Sequence, residues 1–162
     1  MRRLAVPLSL SVLIASPALA TPGAQHGAAA AKACALLSKD LIAQHTPYEK
    51  DAQKLVFSIP PEEEKVGATG SACEYGGVHL QVNPFASTQY VEQQLVKDGW
   101  TRESGLGDVA MYRDNRGSYA ELYVRSGARV ITIQMSVPNG KTAAGIKPNA
   151  VALAKAVLAK IG

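Results

Sequence analysis

Residues 109–137, VAMYRDNRGSYAELYVRSGARVITIQMSV, decide the fold. Ala120, Leu122 and Val124 recur at every second position, and so do Ile131, Ile133, Met135 and Val137. A period of two puts each set on one face of an extended strand. Asp114-Asn115-Arg116-Gly117 and Ser126-Gly127 interrupt the alternation with turn-forming residues, so the stretch predicts consecutive antiparallel strands joined by hairpins. Tyr119, Glu121 and Tyr123, followed by Val130, Thr132 and Gln134, fall on the opposite face. A sheet with one apolar face needs a covering layer.

The flanking sequence supplies that layer. Residues 28–43 are rich in alanine and place Cys34, Leu37 and Leu41 on one helical face, with Pro47 ending the pattern. Residues 88–98 predict a second helix, capped by Ser87 and ended by Gly99, with Val91 and Leu95 inward and Trp100 as an apolar anchor beyond it. Pro148 suits the first turn of a last helix, which presents Val151, Ala154, Val157, Leu158 and Ile161 after a loop at 141–147. Leu55, Phe57 and Ile59 alternate and predict a short strand stopped by Pro60-Pro61. Glu62-Glu63-Glu64-Lys65 reads as a charged turn or loop. An extended stretch runs through Cys73 to Val82, with Val78, Leu80 and Val82 inward and His79 and Gln81 opposite. The expected fold is α+β: helices packed on one face of a mainly antiparallel sheet, in the approximate order αββαβββα.

At the start of the chain, MRRLAVPLSLSVLIASPALA combines Arg2 and Arg3, an apolar run and the small-x-small pattern Ala18-Leu19-Ala20. This predicts a cleavable signal peptide over 1–20 and a single exported domain over 21–162. No cysteine follows the expected cleavage point, so the mature chain is expected to be non-lipidated, without a transmembrane segment, and periplasmic or secreted. Loss of Arg2 and Arg3 lowers the formal charge from +4 to +2, so the basic precursor is a poor argument for nucleic-acid binding and no nucleic-acid partner is expected. Cys34 and Cys73 are the two cysteines of the chain. After export they are expected to pair as a structural disulfide, and they lack the CxxC spacing of redox enzymes.

Cys34, Cys73-Glu74-Tyr75, Gly105-Leu106-Gly107-Asp108-Val109-Ala110, Leu122-Tyr123-Val124-Arg125-Ser126-Gly127 and the helix from Ala152 to Leu158 resemble small secreted bacterial domains of unknown function, the actinobacterial DUF3558 group. The resemblance implies an envelope-associated domain and transfers no catalytic residue. Many domains of that kind look like lipoproteins, whereas this chain lacks the lipid-attachment cysteine.

The leading expectation is a non-enzymatic interaction module that meets an envelope protein or small ligand. Its candidate binding residues are His79, Tyr119, Glu121, Tyr123 and Arg125, with Arg113, Arg116 and Arg129 near the turns. Three alternatives stay open. One is a small-molecule carrier with Trp100 or Tyr112 at a pocket rim. Another is an inhibitor presenting a loop at 62–70 or 101–107. The third is a small enzyme using His79 as acid or base beside Glu74, Asp108 or Glu121. No catalytic residue, metal ligand or cofactor site is assigned: the histidines His26, His45 and His79 show no triad spacing, and the glycines near 105–107 lack the phosphate-loop pattern.

Overall fold

The computed structural model describes residues 32–85 and 88–161. The leader at 1–20, the lead-in at 21–27, the start of the first helix at Ala28 and the Ser87 cap lie outside the described residues. The elements are α1 (Ala33–Leu36), α2 (Lys39–His45), α3 (Lys50–Val56), β1 (Glu62–Val66), β2 (Gly70–Tyr75), β3 (Val78–Pro84), α4 (Thr88–Lys97), β4 (Thr101–Glu103), β5 (Val109–Asn115), β6 (Tyr119–Ser126), β7 (Arg129–Ser136) and α5 (Ala143–Ile161). The strands form one antiparallel sheet of seven in the order β1-β2-β3-β7-β6-β5-β4. Two meanders, β1–β3 and β4–β7, therefore meet where β3 pairs β7. The α+β class and the antiparallel sheet are as the alternation predicts.

The core lies between the sheet and α5. Ile146, Ala150, Leu153, Ala154 and Val157 follow helical spacing and are buried against Leu122, Val124, Ile131, Ile133 and Met135 of the central strands. Each large apolar side chain there contributes about 1.5–3 kcal/mol by leaving water. Cys34 and Cys73 are joined as a disulfide, which ties α1 to β2 on the same face. Lys160 donates to the Leu36 carbonyl at 3.0 Å and closes the end of α5 onto α1.

Five local expectations change. The first helix is two, because the Ser38 hydroxyl accepts from Leu41 N–H and caps a new start after Leu37. The strand expected at Leu55, Phe57 and Ile59 is instead the end of α3 and the turn after it. Leu55 and Ile59 are 74% and 68% exposed, and only Phe57 packs inward, with its ring centroid 5.4 Å from that of Tyr75. Three alternating residues were too short a signal against the helix-forming Lys50–Val56 run beside them. The charged turn at 62–65 is strand β1, whose pairing with β2 overrides its low strand propensity. The stretch from Cys73 to Val82 is a hairpin, broken at Gly76 and Gly77. Both have positive φ, and a Cβ at either would lie 2.6 Å from the Phe57 ring or 2.3 Å from the Tyr48 hydroxyl. Finally, α5 begins at Ala143 and Pro148 lies inside it, because the Thr142 hydroxyl caps Gly145 N–H.

α4 also departs from the single helical layer. Leu95 packs on a second apolar cluster of Trp100, Met111, Tyr123 and Val130, which lies on the sheet face opposite α5. Trp100 N–H donates to the Leu95 carbonyl, confirming it as an anchor just past the helix. Val91, expected inward, is 41% exposed. Among the described residues, no helix is long and apolar enough to cross a membrane.

Removing the disulfide tests the α1 tether. The bridge spans 39 residues of sequence, for which chain entropy gives about 4 kcal/mol. The paired substitution Cys34→Ala/Cys73→Ala is expected to lower unfolding free energy by that order in denaturant titration, with the sheet retained in far-UV spectra.

Candidate functional site

The sheet face opposite α5 carries a row of polar side chains set by register. Arg113 opposes Glu121, Glu121 opposes Gln134, Gln134 opposes His79, His79 opposes Glu74 and Glu74 opposes Glu62. The row crosses six strands, about 24 Å at ordinary strand spacing. The helices α1, α2, α3 and α5 sit with the other face. α4 reaches this one beside the Trp100 cluster, where Glu92 meets Arg125.

The row is locked at its β5–β6 end. Glu121 is 1% exposed. Its Oε2 accepts from Arg113 Nε at 2.8 Å and from Arg113 Nη2, and its Oε1 accepts from Asn115 Nδ2 at 2.9 Å and Gln134 Nε2 at 3.0 Å. A buried carboxylate needs such a shell to offset lost hydration. The Arg113 guanidinium also stacks 4.8 Å from the Trp100 ring centroid, which orients it from its other side.

Toward β1 the row opens to solvent. His79 Nδ1 lies 3.3 Å from Glu74 Oε2, with their side chains 34% and 58% exposed. Beside them is a shallow depression of about 150 Å³, lined by Glu62, Glu64, Ala72, Cys73, Glu74 and His79. The depression is below the roughly 300–1,000 Å³ of ordinary small-molecule sites. A second groove of about 450 Å³ runs between α4 and the β4 edge, lined by Glu92, Gln93, Val96, Lys97 and Arg102.

The expected site residues divide among these surroundings. Tyr119, 42% exposed, opens β6 on the polar face. Glu121 and Tyr123 share that face, as the alternation requires, but both are buried: Glu121 in its ion pair and Tyr123 in the Trp100 cluster. Arg125 bonds Glu92 at 2.8 Å and lies 3.7 Å from Asp108, and the Glu92 bond holds its guanidinium more firmly protonated. His79 therefore meets Glu74, while Asp108 and Glu121 are engaged elsewhere. Trp100 and Tyr112 lie on opposite sheet faces, each packed in an apolar cluster. The loops expected at 62–70 and 101–107 contain β1 and β4.

Comparison with known proteins finds no matching family model, no matching curated protein and no matching solved structure. Function rests on the geometry.

Among the described residues, the tightest grouping of metal-type ligands is Cys34, Glu63 and Cys73. Both sulfurs are committed to the disulfide, and Glu63 accepts from Ala33 N–H at 2.9 Å and Cys34 N–H at 2.8 Å. Ser71 Oγ also donates to it. This is a clamp on α1, with no thiolate to offer a metal. Glu62 and Glu64, on the other face from Glu63, were missed as site residues because a loop has no faces. Strand alternation within EEEKV was the signal that separates them.

Among the described residues, two phenols are buried without hydrogen-bond partners, Tyr112 and Tyr123. Burial pushes the pKa of each upward, with the charges of Asp114 and Glu103 adding at Tyr112 and that of Glu92 at Tyr123. A folded pKa above the unfolded value means that stability is complete below about pH 10 and falls as pH rises toward the folded value. Absorbance titration is expected to show both phenols ionising above the ordinary range, with unfolding free energy declining over the same interval. At pH 7, Tyr123→Phe is expected to be neutral or to stabilise by about 1 kcal/mol, since an unpaired hydroxyl is removed. Arg113→Met leaves the Glu121 charge unpaired and is expected to cost about 3 kcal/mol in denaturant titration, more than Glu121→Gln.

Proposed function

We propose that this chain is a non-enzymatic interaction module of the periplasm or cell exterior, binding an envelope protein or ligand through the sheet face opposite α5. The observation that carries this reading is the cross-strand polar row, rigid at Glu121 and open from Gln134 to Glu62. A pre-ordered polar face binds without first losing side-chain freedom. Tyr119 adds an aromatic contact of the kind enriched at interfaces. The disulfide suits an oxidising compartment, in accord with a cleavable leader and with the DUF3558 resemblance.

Binding is favoured over catalysis at His79. The His79–Glu74 pair has the form of a base with its orienting carboxylate, yet the depression beside it brings further carboxylates, an alanine and a bonded sulfur in place of a nucleophile.

Photo-crosslinking tests the face. With p-benzoylphenylalanine at Gln81, on the open face, the exported oxidised protein is expected to give a discrete adduct. The same group at Lys155, exposed on α5, is expected to give none, and Tyr119→Ala to weaken the Gln81 adduct without altering the fold. Equal adducts from both positions, or none from Gln81, would count against this face.

A further inference from the structure

α1 is four residues long, too short to persist without help from the sheet. It has no capping side chain of its own, since Lys32 makes no cap bond. The acceptors for its first amides come from two strands instead. Glu63 on β1 takes Ala33 N–H at 2.9 Å on one carboxylate oxygen and Cys34 N–H at 2.8 Å on the other. Ser71 on β2, a buried residue, accepts from Ala33 N–H at 3.0 Å and donates to Glu63. Glu63 and Cys73 are direct partners in the β1–β2 register. A Glu63 oxygen, Cys34 Sγ and Cys73 Sγ thus lie within 4.8 Å of one another. The carboxylate grips the backbone of one cysteine from the position beside the other, through bonds that do not require the sulfurs to be joined. The two sulfurs also differ in access: Cys73 is fully buried, while Cys34 is half-buried.

We propose that Glu63 is the positioning residue for closure of the Cys34–Cys73 bond, and that the oxidant enters at Cys34. The oxidant is a disulfide, written RSSR. The Cys34 thiolate attacks one sulfur of RSSR, forming a mixed disulfide at Cys34 and releasing one thiolate RS⁻. The Cys73 thiolate then attacks Cys34 Sγ, which forms the Cys34–Cys73 bond, breaks the mixed bond and releases the second RS⁻. The two cysteines lose two electrons, RSSR gains them, and the two thiol protons end on two RSH. The order follows from access, because the buried Cys73 Sγ meets only the sulfur beside it while Cys34 is open to an incoming reagent. Glu63 and Ser71 hold Cys34 within reach, so the second step is intramolecular at high effective concentration. Without that hold, the chain would have to close a loop spanning 39 residues before the sulfurs could meet. This chemistry is independent of what the open face binds.

The test uses the purified protein, reduced with dithiothreitol and freed of it, then mixed with oxidised glutathione and quenched with acid. Peptide mass mapping is expected to find the transient glutathione adduct on Cys34. Cys73→Ala is expected to retain that adduct, whereas Cys34→Ala is expected to react at Cys73 at least tenfold more slowly. Glu63→Ala is expected to slow conversion of the adduct to the closed disulfide at least fivefold. Glu63→Gln, which keeps one acceptor oxygen, is expected to fall between. Glu64→Ala, on the other face of β1, is expected to change closure less than twofold. In concentrated urea the wild-type, Glu63→Ala and Glu64→Ala proteins are expected to close at one rate, because the hold on α1 is gone. Far-UV spectra are expected to keep the sheet in the reduced variants. A first adduct on Cys73, or closure by Glu63→Ala at the wild-type rate, overturns the proposal. So does a Glu63→Ala defect that persists in urea, or loss of the sheet in reduced Glu63→Ala, which would make Glu63 a general support of the fold.

Discussion

The structure depends on the burial of one face of β3, β7 and β6 beneath α1 and α5. Leu80, Ile133 and Leu122 stand in line across these strands, with Val82, Ile131 and Val124 in the next row, all buried. Sliding any strand by one residue would exchange these side chains for Gln81, Thr132 or Glu121. The apolar contact with Leu153, Ala154 and Val157 therefore sets register as well as stability. The polar row on the reverse face is a consequence of the same register. Arg113, Glu121, Gln134, His79 and Glu74 stand in line because the residues beside them in sequence must face the helical layer of α1 and α5.

The division of labour among Glu62, Glu63 and Glu64 follows from the same alternation. Once β1 pairs with β2, Glu63 turns toward α1 and satisfies its first N–H groups beside the disulfide. Glu62 and Glu64 turn to the open face and become part of its acidic corner. Charged side chains on an edge strand also discourage further strand addition. One short run thus fastens a helix, guards an edge and shapes a surface.

How much of this could be read in advance varied with the physics of each region. The hairpins at 114–117 and 126–127 and the inward rows around Leu122 and Ile133 were legible, because period-two alternation and turn residues are local signals repeated over many positions. His79 and Glu74 were legible as candidates, though not as the pair that meets. The α3 helix was lost to three alternating apolar residues, of which Leu55 and Ile59 remain in solvent. β1 was lost because a strand of glutamates and lysine exists only through its partner β2. The burial of Glu121 and Tyr123 was illegible for a related reason. Alternation gives the face of a side chain, whereas its exposure depends on what Arg113, Trp100 and Leu95 place over that face.

The sequence by itself determined the α+β class, the central strands with their inward rows, and the pairing of the chain's two cysteines. Each follows from interactions between near neighbours or from a choice with one solution. Tertiary structure alone decided that β3 joins β7, that α4 crosses to the other face, and that Glu62 opposes Glu74 beside His79. Those outcomes depend on contacts between segments distant along the chain, whose energies no local pattern contains.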